Sequence, residues 1–144
     1  MVDVSHKDIT LRQAIAETVV QLPEVIFQVI EDGEIHSPKG PVFQTAVIAG
    51  TMAAKRTHEL IPFCHPLAIE SCKVDIQSNQ SGLVTIRCQV KIHHKTGVEM
   101  EALTGATIAA LTIYDMCKAL SHDIVIEKTV LVEKKGGKSD VSRL

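Results

Sequence analysis

Residues 68–92 read A-I-E-S-C-K-V-D-I-Q-S-N-Q-S-G-L-V-T-I-R-C-Q-V-K-I, and this stretch decides the fold. Apolar and polar side chains alternate in it twice. Cys72, Val74 and Ile76 alternate with Ser71, Lys73 and Asp75; Val84, Ile86, Cys88, Val90 and Ile92 alternate with Thr85, Arg87, Gln89 and Lys91. A period of two puts successive side chains on opposite faces of a strand, so each run is a strand with one buried face. Ser78–Gly82 supplies turn residues between them, which makes Ala68–Gln77 and Leu83–Ile92 a hairpin. Cys72 and Cys88 fall on the apolar phase and are expected in the core. His93 and His94 close the pair. Neighbours on a strand point to opposite sides, so the two do not readily share one ion, and both are expected at the surface.

Working outward, both flanks of the hairpin read as long helices. Val42–Leu60 is rich in small residues (Ala46, Ala49, Gly50, Ala53, Ala54), a surface that another helix or a neighbouring subunit can approach closely. Glu99–Leu120 carries Leu103, Ala106, Ala110, Ile113 and Cys117 as one apolar stripe, with Glu99 and Glu101 at the end where carboxylates suit the helix dipole. Further out, Thr10–Leu22 permits a strand or a helix and is read as an edge strand. Pro23 opens a short helix to about Glu31, with Val25, Ile26 and Val29 inward and Asp32-Gly33 as its stop. Ile124–Glu133 is a last strand. The order β-α-β-β-α-β implies an α+β fold, a ferredoxin-like plait: an antiparallel sheet with helices packed on one face, residues 1–144 forming a single domain.

Composition narrows the function classes. The chain has 144 residues, a formal net charge of −2, three Phe, one Tyr and no Trp. No global positive field and few aromatics argue against a nucleic-acid binder or a stacking platform for bases. No apolar run reaches membrane-spanning length and the start is not a secretory signal, so no membrane partner is expected. Four cysteines without a C-x-x-C pair fit a cytoplasmic protein with reduced thiols.

The chemistry concentrates in Lys55–Pro66, K-R-T-H-E-L-I-P-F-C-H-P. Pro62 should end the preceding helix, and Cys64 and His65 lie between two prolines that restrain their backbone. The stretch reads either as a rigid site loop or as a helix end with a satisfied structural histidine. Lys55 and Arg56 serve either a ligand or the helix C-terminus. Lys39, in Ser37-Pro38-Lys39-Gly40-Pro41, is either a solvated loop lysine or a cation offered to an anion. Asp115 and Lys118, at i and i+3, are either a surface ion pair or an acid/base carboxylate beside a neutralising charge. Lys134-Lys135-Gly136-Gly137-Lys138-Ser139 is either a frayed basic tail or a phosphate cradle, though it is no P-loop. Glu101 and Asp115 share a helix face but lie about 21 Å apart along the axis. One small ligand cannot touch both on a straight helix. The helix begins after Glu101, the ligand is long, or a second subunit completes the site. Cations with a few carboxylates and a histidine describe a site for proton transfer on a phosphorylated substrate. Zinc on Cys64, His65 and His58 is the weaker rival, since no second ligand pair has suitable spacing.

Several stretches together carry a resemblance: M-V-D-V-S, A-A-K-R-T-H-E-L-I-P-F-C-H-P-L, T-G-V-E-M-E-A-L-T, A-A-L-T-I-Y-D-M-C-K-A and K-G-G-K-S. The chain resembles the cyclic pyranopterin monophosphate synthase family, molybdenum cofactor biosynthesis protein C, along essentially its whole length. The resemblance implies a lyase that turns 3′,8-cyclo-7,8-dihydro-GTP into cyclic pyranopterin monophosphate and pyrophosphate. It implies a ferredoxin-like subunit in a homohexamer, a trimer of dimers with sites between subunits. By motif, it implies Asp115 as acid/base with Lys118 beside it, and Lys39, Lys55, His65, Glu101 and Lys134 lining the site. Phe63, Cys64, His65, Met100 and Glu101 would contact substrate, with Glu99, Arg56 and Lys138 as further binding candidates. No metal or other cofactor is expected, and assistance by Mg²⁺ is left open. The sequence departs from the family pattern in starting at Met-Val-Asp-Val-Ser without the short leader of relatives. It also departs in Phe63 for leucine, and in Lys135 and Asp140 for serine and glycine. The alternative function is a non-catalytic nucleotide- or phosphate-binding module.

Overall fold

The computed structural model describes residues 1–144. In chain order the elements are β1 (Thr10–Gln21), α1 (Glu24–Phe27), β2 (His36–Ser37), β3 (Gly40–Pro41), α2 (Val42–Lys55), α3 (Thr57–Leu60), β4 (Ser71–Ser78), β5 (Leu83–His94), α4 (Glu99–Cys117), β6 (Val125–Lys135) and β7 (Val141–Ser142). The main sheet runs β4-β5-β1-β6-β7, with every neighbour antiparallel. Helices α2 and α4 pack on one face of it, the arrangement expected of a ferredoxin-like α+β fold.

The hairpin forms as expected, β4 against β5 from Ser71↔Lys91 to Ser78↔Val84. The sheet's centre differs from expectation. β1 is not an edge strand: it pairs with β5 from Thr10↔His94 to Gln21↔Leu83 and with β6 on its other side. Its inward positions Ala14, Ala16, Thr18 and Val20 are fully buried beneath α4. Small inward side chains there let a helix lie close to the middle of the sheet.

The α1 expectation is also corrected. The helix spans only Glu24–Phe27, too short for an inward stripe, so Ile26 alone is buried while Val25 and Val29 are exposed. The chain then reverses through Asp32 and Gly33, both at positive φ. Glu34, just after that turn, caps α2. Its carboxylate accepts from the Phe43 N–H at 2.7 Å and the Gln44 N–H at 3.1 Å. This fixes the β2–β3 hairpin, His36↔Pro41 and Ser37↔Gly40, with Pro38-Lys39 at its tip.

The second element of the plait is two helices, not one. α2 stops at Lys55, Arg56 leaves helical geometry at φ −113° and ψ 15°, and the Thr57 hydroxyl bonds back to the Ala53 and Ala54 carbonyls across the break. α3 then ends at Leu60, and Ile61 is extended, as a residue before proline must be. The small residues of α2 meet α4 of the same chain. A Cβ on Gly50 would lie 2.8 Å from the Gly105 carbonyl oxygen, so the two backbones touch where the helices cross.

Candidate active site

α4 sorts the chemistry-bearing side chains into two clusters. It is a single helix from Glu99 to Cys117, so it does not begin after Glu101. Glu101 and Asp115 are therefore about 21 Å apart along its axis.

At the C-terminal end, Asp115 holds two ammonium groups. Lys39, from the β2–β3 tip, donates to Oδ2 at 2.9 Å, and Lys118 donates to Oδ1 at 2.7 Å. The bonds from Lys118 and then Lys39 lower the Asp115 carboxyl to about 2. Asp115 is a carboxylate at any ordinary pH, with both oxygens occupied. The exposed Lys118–Asp115 pair is no mere helix-surface contact, because a lysine from a distant segment shares the same carboxylate.

At the N-terminal end lies a denser cluster. Glu101 is 3% exposed, and burial raises its carboxyl above the ordinary value. The Cys64 thiol donates to its Oε2 at 3.6 Å. Burial first, and Glu101 second, push Cys64 up to about 11, so the thiol stays protonated. A protonated thiol is a poor nucleophile. No group of three or more His, Cys, Asp or Glu side chains lies together as a metal site. Next to Cys64, His65 donates Nε2–H to the Val2 carbonyl at 2.7 Å, which directs its free lone pair to Nδ1.

The same end is closed by the end of β6. Lys134 sits opposite Ala14 on the helix-facing side and reaches Glu99 Oε1 at 2.7 Å. Both partners are partly buried, so the pair holds the Lys134 ammonium in one place. Gly136, at φ +93°, lies against the Leu11 carbonyl where any side chain would overlap it. The Thr10 hydroxyl donates to the Gly136 carbonyl at 2.8 Å. The Gly136–Lys138 loop is thereby pinned to the start of β1 and is not a frayed tail.

Arg12 is the residue sequence reasoning missed. It is 8% exposed, donates Nη2–H to the Lys95 carbonyl at 3.2 Å, and has a buried Nε with no partner. A Cβ on Gly137 would sit 2.9 Å from its Nη1. A buried guanidinium without a carboxylate, beside Lys134 and the N-terminus of α4, is built to receive an anion. The signal was present: Arg12 shares the inward phase of Ala14 and Ala16, where a charge needs a reason.

Lys55, Arg56 and Lys138 are exposed, and Lys55 opens into a cavity of about 380 Å³ with Thr51, Leu67 and Cys72. Phe63 is 78% exposed and Met100 39%. Met100 lines an apolar groove of about 300 Å³ with Leu60, Ile61 and Leu103.

The model of the MoaC family matches residues 1–137. The chain belongs to the MoaC family. A relative from Xanthomonas oryzae pv. oryzae, named cyclic pyranopterin monophosphate synthase, is 57% identical over 141 residues, covering 98% of this chain and 86% of the relative. The Synechocystis molybdenum cofactor biosynthesis bifunctional protein is 53% identical and covers 99% of this chain, which spans 42% of that protein. Molybdenum cofactor biosynthesis protein 1 of Dictyostelium discoideum is 53% identical over 155 residues, covering 96% of this chain and 25% of that protein. In this MoaC-family chain the family-motif residues are thus divided: Lys39, Asp115 and Lys118 at one end of α4, and Cys64, His65, Glu99, Glu101 and Lys134 around the other. Neither α3 nor α4 has the length and apolarity to cross a membrane, and no other helix does.

Proposed function

We propose that the chain is a cyclic pyranopterin monophosphate synthase, a lyase that converts 3′,8-cyclo-7,8-dihydro-GTP to cyclic pyranopterin monophosphate and pyrophosphate early in molybdenum cofactor biosynthesis. The observation that carries this reading is 57% identity, across 98% of the chain, to a relative of that name.

The two clusters divide the work. Rebuilding a purine-derived ring needs a proton donor and a proton acceptor near the same atoms. Glu101, whose carboxyl burial raises above the ordinary value, is suited to donate. His65, with Nδ1 free, is suited to accept. Cys64 keeps the Glu101 carboxyl oriented, and Phe63 and Met100 offer apolar contact to the ring. Arg12, Lys134 and Lys138 form the anion end, where the charge that grows as pyrophosphate leaves needs fixed cations. Glu99 keeps Lys134 in place, and Lys55 and Arg56 extend the positive rim.

Asp115 acts differently. With both oxygens bonded to lysines it is too weak a base at neutral pH. It becomes one when a substrate phosphate draws Lys39 or Lys118 away, since losing either bond raises its affinity for a proton. Lys39 and Lys118 then neutralise phosphate while Asp115 takes the proton.

The separation along α4 leads us to place the site between chains, with the C-terminal cluster of one facing the N-terminal cluster of another. A homohexamer arranged as a trimer of dimers would do this. The apolar groove at Leu60, Ile61, Met100 and Leu103 is suited to burial against a second copy. The reading is tested by incubating the purified protein with the cyclised GTP precursor and analysing the products by mass spectrometry. Pyrophosphate and the pyranopterin are expected. Precursor bound but recovered unchanged would replace the synthase with a phosphate-binding module.

A further inference from the structure

His94 takes no part in the division of labour above, and its surroundings give it one. Adjacent histidines end β5 on opposite faces of the sheet. His93 points away from the helices, is exposed, and pairs with Glu70 through Nδ1 at 3.0 Å. His94 shares the phase of Val90 and Ile92, which are buried, so it faces the helix side. It is only partly exposed, and its Nδ1 is buried with no hydrogen-bond partner. The expectation that both histidines are surface residues therefore holds for His93 alone.

The register fixes what His94 stands beside. Its direct partner on β1 is Thr10, whose hydroxyl is spent on the Gly136 carbonyl. Arg12, paired with Ile92, is its diagonal neighbour on the same face. Diagonal side chains are about 7–8 Å apart at their bases, within reach of long groups. The Arg12 Nη2–H donates to the carbonyl of Lys95, the residue after His94. The two buried side-chain nitrogens that lack a partner in this protein are Arg12 Nε and His94 Nδ1. They belong to rungs two apart on the same face of one strand pair. A buried polar atom left unpaired costs about 1–3 kcal/mol, and here one guanidinium N–H and one imidazole nitrogen lie unpaired on the same face. No carboxylate bonds to either residue. Lys134 and the backbone of Gly136–Gly137 lie alongside. The fitting acceptor is an oxyanion with several oxygens.

We propose that His94 joins Arg12 in one phosphate clamp, its imidazole meeting the pyrophosphate end of the substrate and so setting the affinity for that group. The assignment rests on the synthase reading, but its test does not need turnover. Inorganic pyrophosphate is titrated into the full chain by calorimetry, for the wild type, His94→Ala, His94→Asn and His93→Ala, with a thermal melt of each. His94→Ala is expected to weaken pyrophosphate binding about fivefold to tenfold, with a melt like the wild type. His94→Asn, which keeps a side-chain N–H near the same place, recovers part of the loss and serves if the alanine variant folds poorly. His93→Ala, on the opposite face, leaves binding unchanged. Wild-type affinity in His94→Ala, or an equal loss in His93→Ala, overturns the clamp. So does a lowered melt with unchanged binding, which makes His94 a packing residue with an internal water. Normal turnover by a wild type that does not bind pyrophosphate overturns the clamp and spares the synthase. Pyrophosphate binding that depends on His94 without turnover spares the clamp and removes the synthase.

Discussion

Glu101 is the residue whose environment and role pull in opposite directions. Its carboxyl is buried against Cys64, and burial raises it above the ordinary 4.5. A group raised in the folded state contributes most to stability below its unfolded value and loses that contribution as pH rises through the folded one. At pH 8 the ionised side chain therefore costs stability, and at pH 4 it does not. Glu101→Gln keeps the shape and removes the ionisation. It is expected to melt at or above the wild type at pH 8, with the gap closing toward pH 4, while turnover falls at least tenfold. Melts at both pH values together with a product assay check this. A variant that melts lower at pH 8 would mean that the carboxylate is needed by the fold. Residues of this kind were partly legible in the sequence. Glu101 and His65 stood in dense motifs. Arg12 and His94 were legible only as polar groups on the apolar phase of a strand, a signal that matters once the other strand of the pair is known.

At the scale of elements, the site depends on how closely α4 lies against α2 and the sheet. Gly105 is where that contact is tightest. A Cβ there would meet Cys88 Sγ at 2.6 Å and the Gly50 carbonyl oxygen at 3.1 Å. Gly105→Ala gains up to about 1 kcal/mol of helix propensity. Overpacking against a buried sulfur and a backbone oxygen costs about 1–3 kcal/mol. The second effect wins, and the variant is expected to lose about 1–2 kcal/mol, a drop of several degrees in Tm for a chain of this length. Denaturant titration measures it, and an unchanged midpoint would show that the helices can separate freely. The hairpin, both long helices and the order of elements followed from periodicity and punctuation. The central place of β1 did not. Edge and centre differ by which strand pairs on the second side, and β6, which does so, is over a hundred residues away in the chain. The break at Arg56 was likewise hidden, because no proline or glycine marks it in the sequence.

At the scale of the molecule, one rigid helix keeps the Lys39–Asp115–Lys118 cluster away from the cluster around Glu101, Lys134 and Arg12. Sequence arithmetic already gave the distance. What it could not give was whether α4 starts early enough to carry both ends, and α4 does. On the shared-site proposal, a substrate the size of a nucleotide takes one end from each of two chains. The most direct test mixes two inactive variants, Asp115→Asn and Lys134→Ala, unfolds and refolds them together, and measures product formation. If each site draws one cluster from each of two chains, random reassembly leaves about a quarter of the sites intact, and the mixture regains about a quarter of wild-type activity. A mixture as inactive as its two components, refolded to the same assembly size as the wild type, would contradict the shared site.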